Sequence, residues 1–152
     1  MDDQLEQDVA RLWALLFAAV LDGERRIAEN LSQHNLTVPQ FYVLKTLSER
    51  GGRWGIGQIA RAHGLTNATM TGLISRMEAM DPPLVLRETS ATDRRAVHVV
   101  LTEAGRERFD AVTRSLADQL RSVVALIPAE DRRRLLDELE HYAQLVLSLS
   151  NS

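Results

Sequence analysis

Three side-by-side pairs, Asn67–Ala68, Thr71–Gly72 and Ser75–Arg76, recur at four-residue intervals. That spacing puts all six on one face of a helix. The chemistry open to such a face is recognition rather than bond-making. An asparagine amide can make a bidentate contact with adenine, and a threonine methyl can meet a thymine methyl. An arginine near the far end can hold phosphate. The remaining side chains are short, as a helix needs if its polar face is to enter a major groove. Thr66, just before this face, is better suited to capping, because its side-chain oxygen can accept an orphan backbone N–H of the first turn. Asn67 is expected to reach DNA rather than to serve as a cap. A surface helical hairpin with no ligand would carry the same pattern, so the flanking segments have to decide.

The opposite face of the same segment carries Leu65, Met70, Leu73, Ile74 and Met77. These are expected to pack on a preceding short helix containing Ile59, Ala60 and Ala62. His63 and Gly64 end that short helix. Ala60, four residues before Gly64, supplies a small side chain where the helices cross, and Gly64 a backbone free to turn back. Gln58–Met80 therefore reads as helix, tight turn, helix. Asp81, Pro82 and Pro83 stop the second helix. Leu84–Glu88 and Val97–Leu101 have β character, and the polar TSATDRR between them reads as a turn. This predicts a hairpin with Asp93, Arg94 and Arg95 at or near its tip. Arg94 and Arg95 can reach a DNA backbone or minor groove. Asp93 cannot face phosphate comfortably and is expected to initiate the turn and orient an arginine. Thr69 and Arg87 complete the candidate DNA-contacting set.

Charge distribution supports this placement. The chain of 152 residues carries a net charge of −3, but residues 50–100 hold seven arginines against four acidic residues. A local basic patch matters more to a phosphate backbone than the total does. There is no cysteine, which excludes disulfides, thiolate metal sites, cysteine nucleophiles and thiol redox sensing. His34, His63, His98 and His141 show no close metal spacing. There is no phosphate-cradling glycine loop and no G-x-S-x-G elbow. An enzyme is thus disfavoured, and no cofactor or metal is expected. The N-terminus, MDDQLEQD, is acidic where a signal peptide needs cations. The apolar run Leu12–Leu21 is too short to span a bilayer, so the expectation is a cytoplasmic protein without membrane contact.

Residues 5–33 read as one long helix, apolar nearly all round from Leu12 to Leu21, which requires burial on several sides. A core or a partner chain would provide it. Thr37, Pro39 and Gln40 form a capping box that starts the next helix, with Phe41, Leu44 and Leu47 buried and Arg50–Gly52 ending it. Trp54 and Ile56 read as a short extended piece. Gly55 can cap the helix that follows, with Gln58 at its third position. Thr102 caps another helix that Pro128 breaks. The final helix carries Leu135, Leu136, Leu139, Tyr142, Leu145 and Val146 on its apolar side. Arg132–Arg134 lie among Asp and Glu and read as a solvated helix face.

Four stretches in this order resemble the MarR family of bacterial transcription regulators over essentially the full chain. They are LTVPQFYVL, IGQIARAHGLTNATMTGLISRME, LV-x₆-TDRRAVHVVLT and LTEAGRE. The chain departs from the family's pattern in the MDPP link, which is longer and stiffened by Pro82 and Pro83. It departs again in a wing leaner in cations, with Leu86, Glu88 and Ser90 before the tip. The resemblance implies a mainly α fold with a small β-hairpin wing. It implies a winged helix-turn-helix lobe at residues 36–101, and a helical dimerisation lobe from residues 1–35 and 102–152. It further implies a homodimer that binds double-stranded DNA at an inverted-repeat operator, and a small aromatic effector that releases it, as from a repressor. Trp13, Phe17, His34, Phe41 and Tyr42 could line the effector's crevice, although such side chains more often belong to a core. The competing reading is a winged-helix protein-interaction module that does not bind DNA.

Overall fold

The computed structural model describes residues 3–93 and 96–150. In chain order the elements are α1 (Asp3–Gln33), α2 (Val38–Glu49), β1 (Arg53–Gly55), α3 (Ile56–Ala62), α4 (Asn67–Glu78), β2 (Val85–Thr89), β3 (Val97–Leu101), α5 (Glu103–Val124) and α6 (Ala129–Ser150). They form two compact units, Met1–Arg114 and Ser115–Ser152. The fold is mainly helical with one small antiparallel sheet in the order β1-β3-β2, as the sequence implies.

Local chemistry accounts for the boundaries of the first unit. The capping box of α2 is formed: the Thr37 N–H donates to Gln40 Oε1 at 2.9 Å, and the Gln40 N–H to Thr37 Oγ1 at 3.5 Å. The chain leaves α2 through Gly52, whose φ of +85° lies in the left-handed region that favours glycine. The Gly52 N–H donates to the Leu47 carbonyl, and the Leu101 N–H donates to the Gly52 carbonyl. Helix α2 is thus tied to β3 at the moment it ends. β3 is the central strand, pairing Arg53–Gly55 on one side and Val85–Thr89 on the other.

The core of this unit is one apolar cluster. Leu31, Val43, Leu44, Leu47, Ile59, Met70, Ile74, Met77, Leu84, Val85, Val99 and Val112 are all fully buried. Helices α2 and α3 contact β3, α4 contacts β2, and α4 also packs on α2 and α3. Fully burying a side chain of this size contributes about 1.5–3 kcal/mol, so this cluster sets where α4 lies.

The MDPP link does not leave the hairpin loose. The Leu84 N–H donates to the Met77 carbonyl at 3.1 Å, and the Thr102 N–H to the Leu84 carbonyl at 3.1 Å. The Thr102 hydroxyl donates to the Pro83 carbonyl at 2.7 Å and accepts from the Gly105 N–H at 3.0 Å. One threonine thus caps α5 and pins the link. Gly105 makes that approach possible: a Cβ there would lie 2.1 Å from the Leu84 carbonyl oxygen.

Three expectations are corrected. Ile56 opens α3 rather than closing an extended piece. Leu65 lies before the cap of α4 and is 37% exposed, so it is not part of that helix's buried stripe. Trp13, Phe17 and Tyr42 are not core: each is about half exposed, as are Leu12, Leu16 and Val20. Within α1 only Asn30 and Leu31 are buried, although the helix is as apolar as its sequence suggests.

In the second unit α5 ends at Val124, short of the expected break at Pro128; turn hydrogen bonds from Leu126 to Val123 and from Ile127 to Val124 carry the chain on, and the Arg132 N–H donates to the Pro128 carbonyl to begin α6. Arg133 and Arg134 are exposed, with Arg134 paired to Asp131 at 3.0 Å, in line with the solvated reading; Arg132 departs from it, being half-buried with its Nη1 donating to the Val124 carbonyl at 3.5 Å. Leu135, Leu136, Leu139, Tyr142 and Leu145 are exposed along α6; the side chain of Val146 lies outside the described residues.

Candidate nucleic-acid interface

The turn between α3 and α4 is built by backbone geometry. His63 is the C-cap, Gly64 follows with φ +63°, the Gly64 N–H donates to the Arg61 carbonyl and the Leu65 N–H to the Ala60 carbonyl. This is the Schellman arrangement, which satisfies the last carbonyls of α3 and reverses the chain. Thr66 then caps α4: its Oγ1 accepts the Thr69 N–H at 3.2 Å and lies 2.9 Å from Thr69 Oγ1. Both hydroxyls are engaged at the helix start, in keeping with the capping reading of Thr66.

With Met70, Leu73, Ile74 and Met77 buried, the opposite face of α4 is left outward. Asn67, Ala68, Thr71 and Arg76 are exposed, and Gly72 and Ser75 half-buried. The structure therefore brings these residues onto one accessible ridge. Asn67 also borders a shallow notch of about 330 Å³ with Gly55, Gln58, Arg61, Ala96 and His98.

Arg87 has a different environment from the one its type suggests. Its backbone N–H donates to Glu78 Oε1 at 2.7 Å and its Nε to Glu78 Oε2 at 2.8 Å. Its Nη2 lies 2.7 Å from Glu78 Oε2 and donates to Ser75 Oγ at 3.2 Å. This clamp ties β2 to the C-terminal turn of α4. Sequence reasoning missed Glu78, because nothing in the local pattern says which cation a helix-end carboxylate will meet across a link. Another cross-element contact joins Thr46 Oγ1 and His63 Nε2 at 2.9 Å. Burial holds the His63 imidazole below its usual pKa, because taking the cation out of water disfavours it.

At the hairpin tip, Ser90 Oγ accepts the N–H groups of Thr92 and Asp93 at 3.4 Å, and the Ala96 N–H donates to the Asp93 carbonyl. Ser90 is therefore a side-chain acceptor in the turn expected of Asp93. Arg94 and Arg95 lie outside the described residues. The candidate effector residues fall into two ring groups. Trp13 stacks on Phe17 at 5.3 Å, while Phe41 stacks on Phe109 at 5.5 Å and meets Tyr42 at 6.0 Å. No ring contact joins the groups among the described residues. His34 offers its carbonyl to Arg108 Nη1 at 2.8 Å.

A helix-turn-helix whose second helix turns a short polar ridge outward, followed directly by a β-hairpin, is the architecture of a winged helix-turn-helix DNA-binding protein. The family model described as "MarR family" matches residues 36–97. Over 141 residues the chain is 30% identical to the HTH-type transcriptional regulator TtmR of Methylorubrum extorquens (strain PA1), covering 91% of this chain and 68% of that protein. Among solved structures, AbsC, a MarR family transcriptional regulator from Streptomyces coelicolor, is 26% identical with a TM-score of 0.66, covering 91% and 94% of the two chains. The fold is also that of the YusO protein from Bacillus subtilis, at a TM-score of 0.78 and 22% identity over 95% and 98%. The chain belongs to the MarR family: it is a DNA-binding transcriptional regulator and not an enzyme.

Proposed function

We propose that the protein works as a homodimer whose two α4 helices read the half-sites of an inverted-repeat operator, and that it represses transcription until a small aromatic ligand releases the DNA. The observation that carries the dimer is the exposure of Leu12, Trp13, Leu16, Phe17 and Val20 on α1. Large contiguous apolar patches mark interaction sites, and obligate interfaces resemble a core cut in half. In this reading residues 36–101 form the DNA-binding lobe, while residues 1–35 and 102–152 form the dimerisation lobe.

On the DNA side, Asn67 reads a base edge, and Ala68, Thr71 and Ser75 line the groove contact. Arg76 holds phosphate, and Arg94 and Arg95 reach the backbone or minor groove from the hairpin tip. Thr66 and Thr69 act through the helix start, and Arg87 acts through Glu78. Asp93 shapes the wing turn. The effector would contact the rings of Phe41 and Tyr42 beside His34, with Trp13 and Phe17 shared with the dimer contact. It would release DNA only by binding the DNA-incompetent arrangement more tightly, about 1.4 kcal/mol of coupling for a tenfold effect.

Selection of bound fragments from genomic DNA tests the reading. The expected product is an inverted repeat with half-site centres about 34–36 Å apart, one helical turn. Asn67→Ala should relax preference at one base position in each half-site. An asymmetric single site, or a folded monomer by sedimentation at micromolar concentration, would overturn the dimeric reading.

A further inference from the structure

We infer that Arg61, on α3, grips the DNA backbone on the far side of the major groove from Arg76, so that the two arginines bracket the recognition helix. The inference rests on the reading in which α4 enters the groove, and it assigns a residue outside the ridge.

Of the six cations described in the winged lobe, four are engaged within it. Lys45 pairs with Glu49, Arg53 with Glu88 and Arg87 with Glu78, and Arg50 lies over the Trp54 ring at 4.7 Å. Arg61 and Arg76 are both exposed, and neither has a hydrogen bond or ion pair among the described residues. An unneutralised guanidinium is the group that a phosphate can take without first breaking an ion pair. They lie toward opposite ends of α4. Arg61 borders the notch shared with Asn67, at the start of α4, and Arg76 lies in its last turn. The nine steps from Asn67 to Arg76 span about 14 Å at 1.5 Å each, close to the width of the major groove, about 12 Å.

The notch is chemically suited to an anion. Among the described residues no carboxylate lines it. The Gly55 N–H donates to Gln58 Oε1 at 3.1 Å, which fixes the amide so that its NH₂ is the group left to donate. Arg61 supplies the charge beside it, and a DNA strand at the groove edge supplies the phosphate.

The experiment measures affinity by fluorescence anisotropy from 50 to 200 mM salt, for the selected operator and an unrelated duplex. It compares the full chain with Arg61→Gln, Arg61→Lys and Arg76→Gln, each checked for an unchanged thermal midpoint. Each lost phosphate contact removes about 0.9 from the log–log salt slope. With two copies per operator, Arg61→Gln should lose about tenfold less affinity across that salt range than the unaltered protein does. It should weaken both duplexes, and Arg61→Lys should restore the slope. If Arg61→Gln leaves the slope unchanged while Arg76→Gln lowers it, the inference fails and α4 still enters the groove. If neither changes the slope, the placement of α4 fails with it. Weaker binding at an unchanged slope, or an effect confined to binding of free phosphate by the notch, also overturns the inference.

Discussion

Replacing Glu78 by glutamine separates two roles for Arg87. In the native structure Glu78 accepts the Arg87 N–H at 2.7 Å and the Nε at 2.8 Å, with side chains 21% and 37% exposed. The glutamine can keep one acceptor for the backbone N–H, but its NH₂ then faces the guanidinium, donor against donor. Charge-assisted hydrogen bonds contribute about 1.5–3 kcal/mol when desolvated, and exposed ion pairs about 0.2–1. A half-shielded pair should fall between, so Glu78→Gln should cost about 1–2 kcal/mol, lowering the thermal midpoint by about 2–8 °C for a chain of this length. The freed arginine also becomes available to phosphate. Binding to unrelated duplex should tighten, and its salt slope should steepen by about 0.9 for each new contact. Operator binding should lose its margin over unrelated DNA, because the hairpin is no longer held against α4. Calorimetric melting and anisotropy titrations over a salt series read both effects. An unchanged midpoint together with an unchanged slope would refute the clamp.

Two further outcomes follow from contacts around the same lobe. Gly105→Ala would put a Cβ 2.1 Å from the Leu84 carbonyl oxygen. The backbone must shift, and urea unfolding should show a loss of about 2–3 kcal/mol; a change below about 0.5 would show that α5 does not seat against the link this way. Burial lowers the His63 pKa below its unfolded value, so the unfolded chain binds more protons in the interval between the two. His63's contribution is therefore present above about pH 6.5 and lost as pH falls through the folded pKa. The midpoint should drop more between pH 7.5 and 5.5 for the unaltered protein than for His63→Gln, and equal drops would count against a partly buried imidazole whose cation is disfavoured by desolvation.

The sequence by itself determined those features that arise within a few residues of chain. Thr37 and Gln40 specify the start of α2, Thr66 the start of α4, Gly64 the reversal between α3 and α4, and the period of Met70, Leu73, Ile74 and Met77 the outward face of Asn67 and Thr71. Each depends on hydrogen bonds or side-chain directions that are local, so residue type and spacing suffice. The order of elements around the wing was legible from the same local signals, and the family resemblance added the dimer, the operator and the effector as expectations. Tertiary structure alone decided which cations are available. Arg87 and Arg61 look alike in the sequence, but only the fold brings Glu78 across the link to neutralise one and leaves the other beside Asn67 at an acid-free notch. It alone places Leu84 where Gly105 must lack a side chain, and joins Thr46 to His63. Trp13 and Phe17 show the same limit from the other side: apolar type predicts burial, but whether the chain's own core supplies it depends on distant packing. Ion pairing and burial are set by distances between segments remote in sequence, and those distances exist only once the chain has folded.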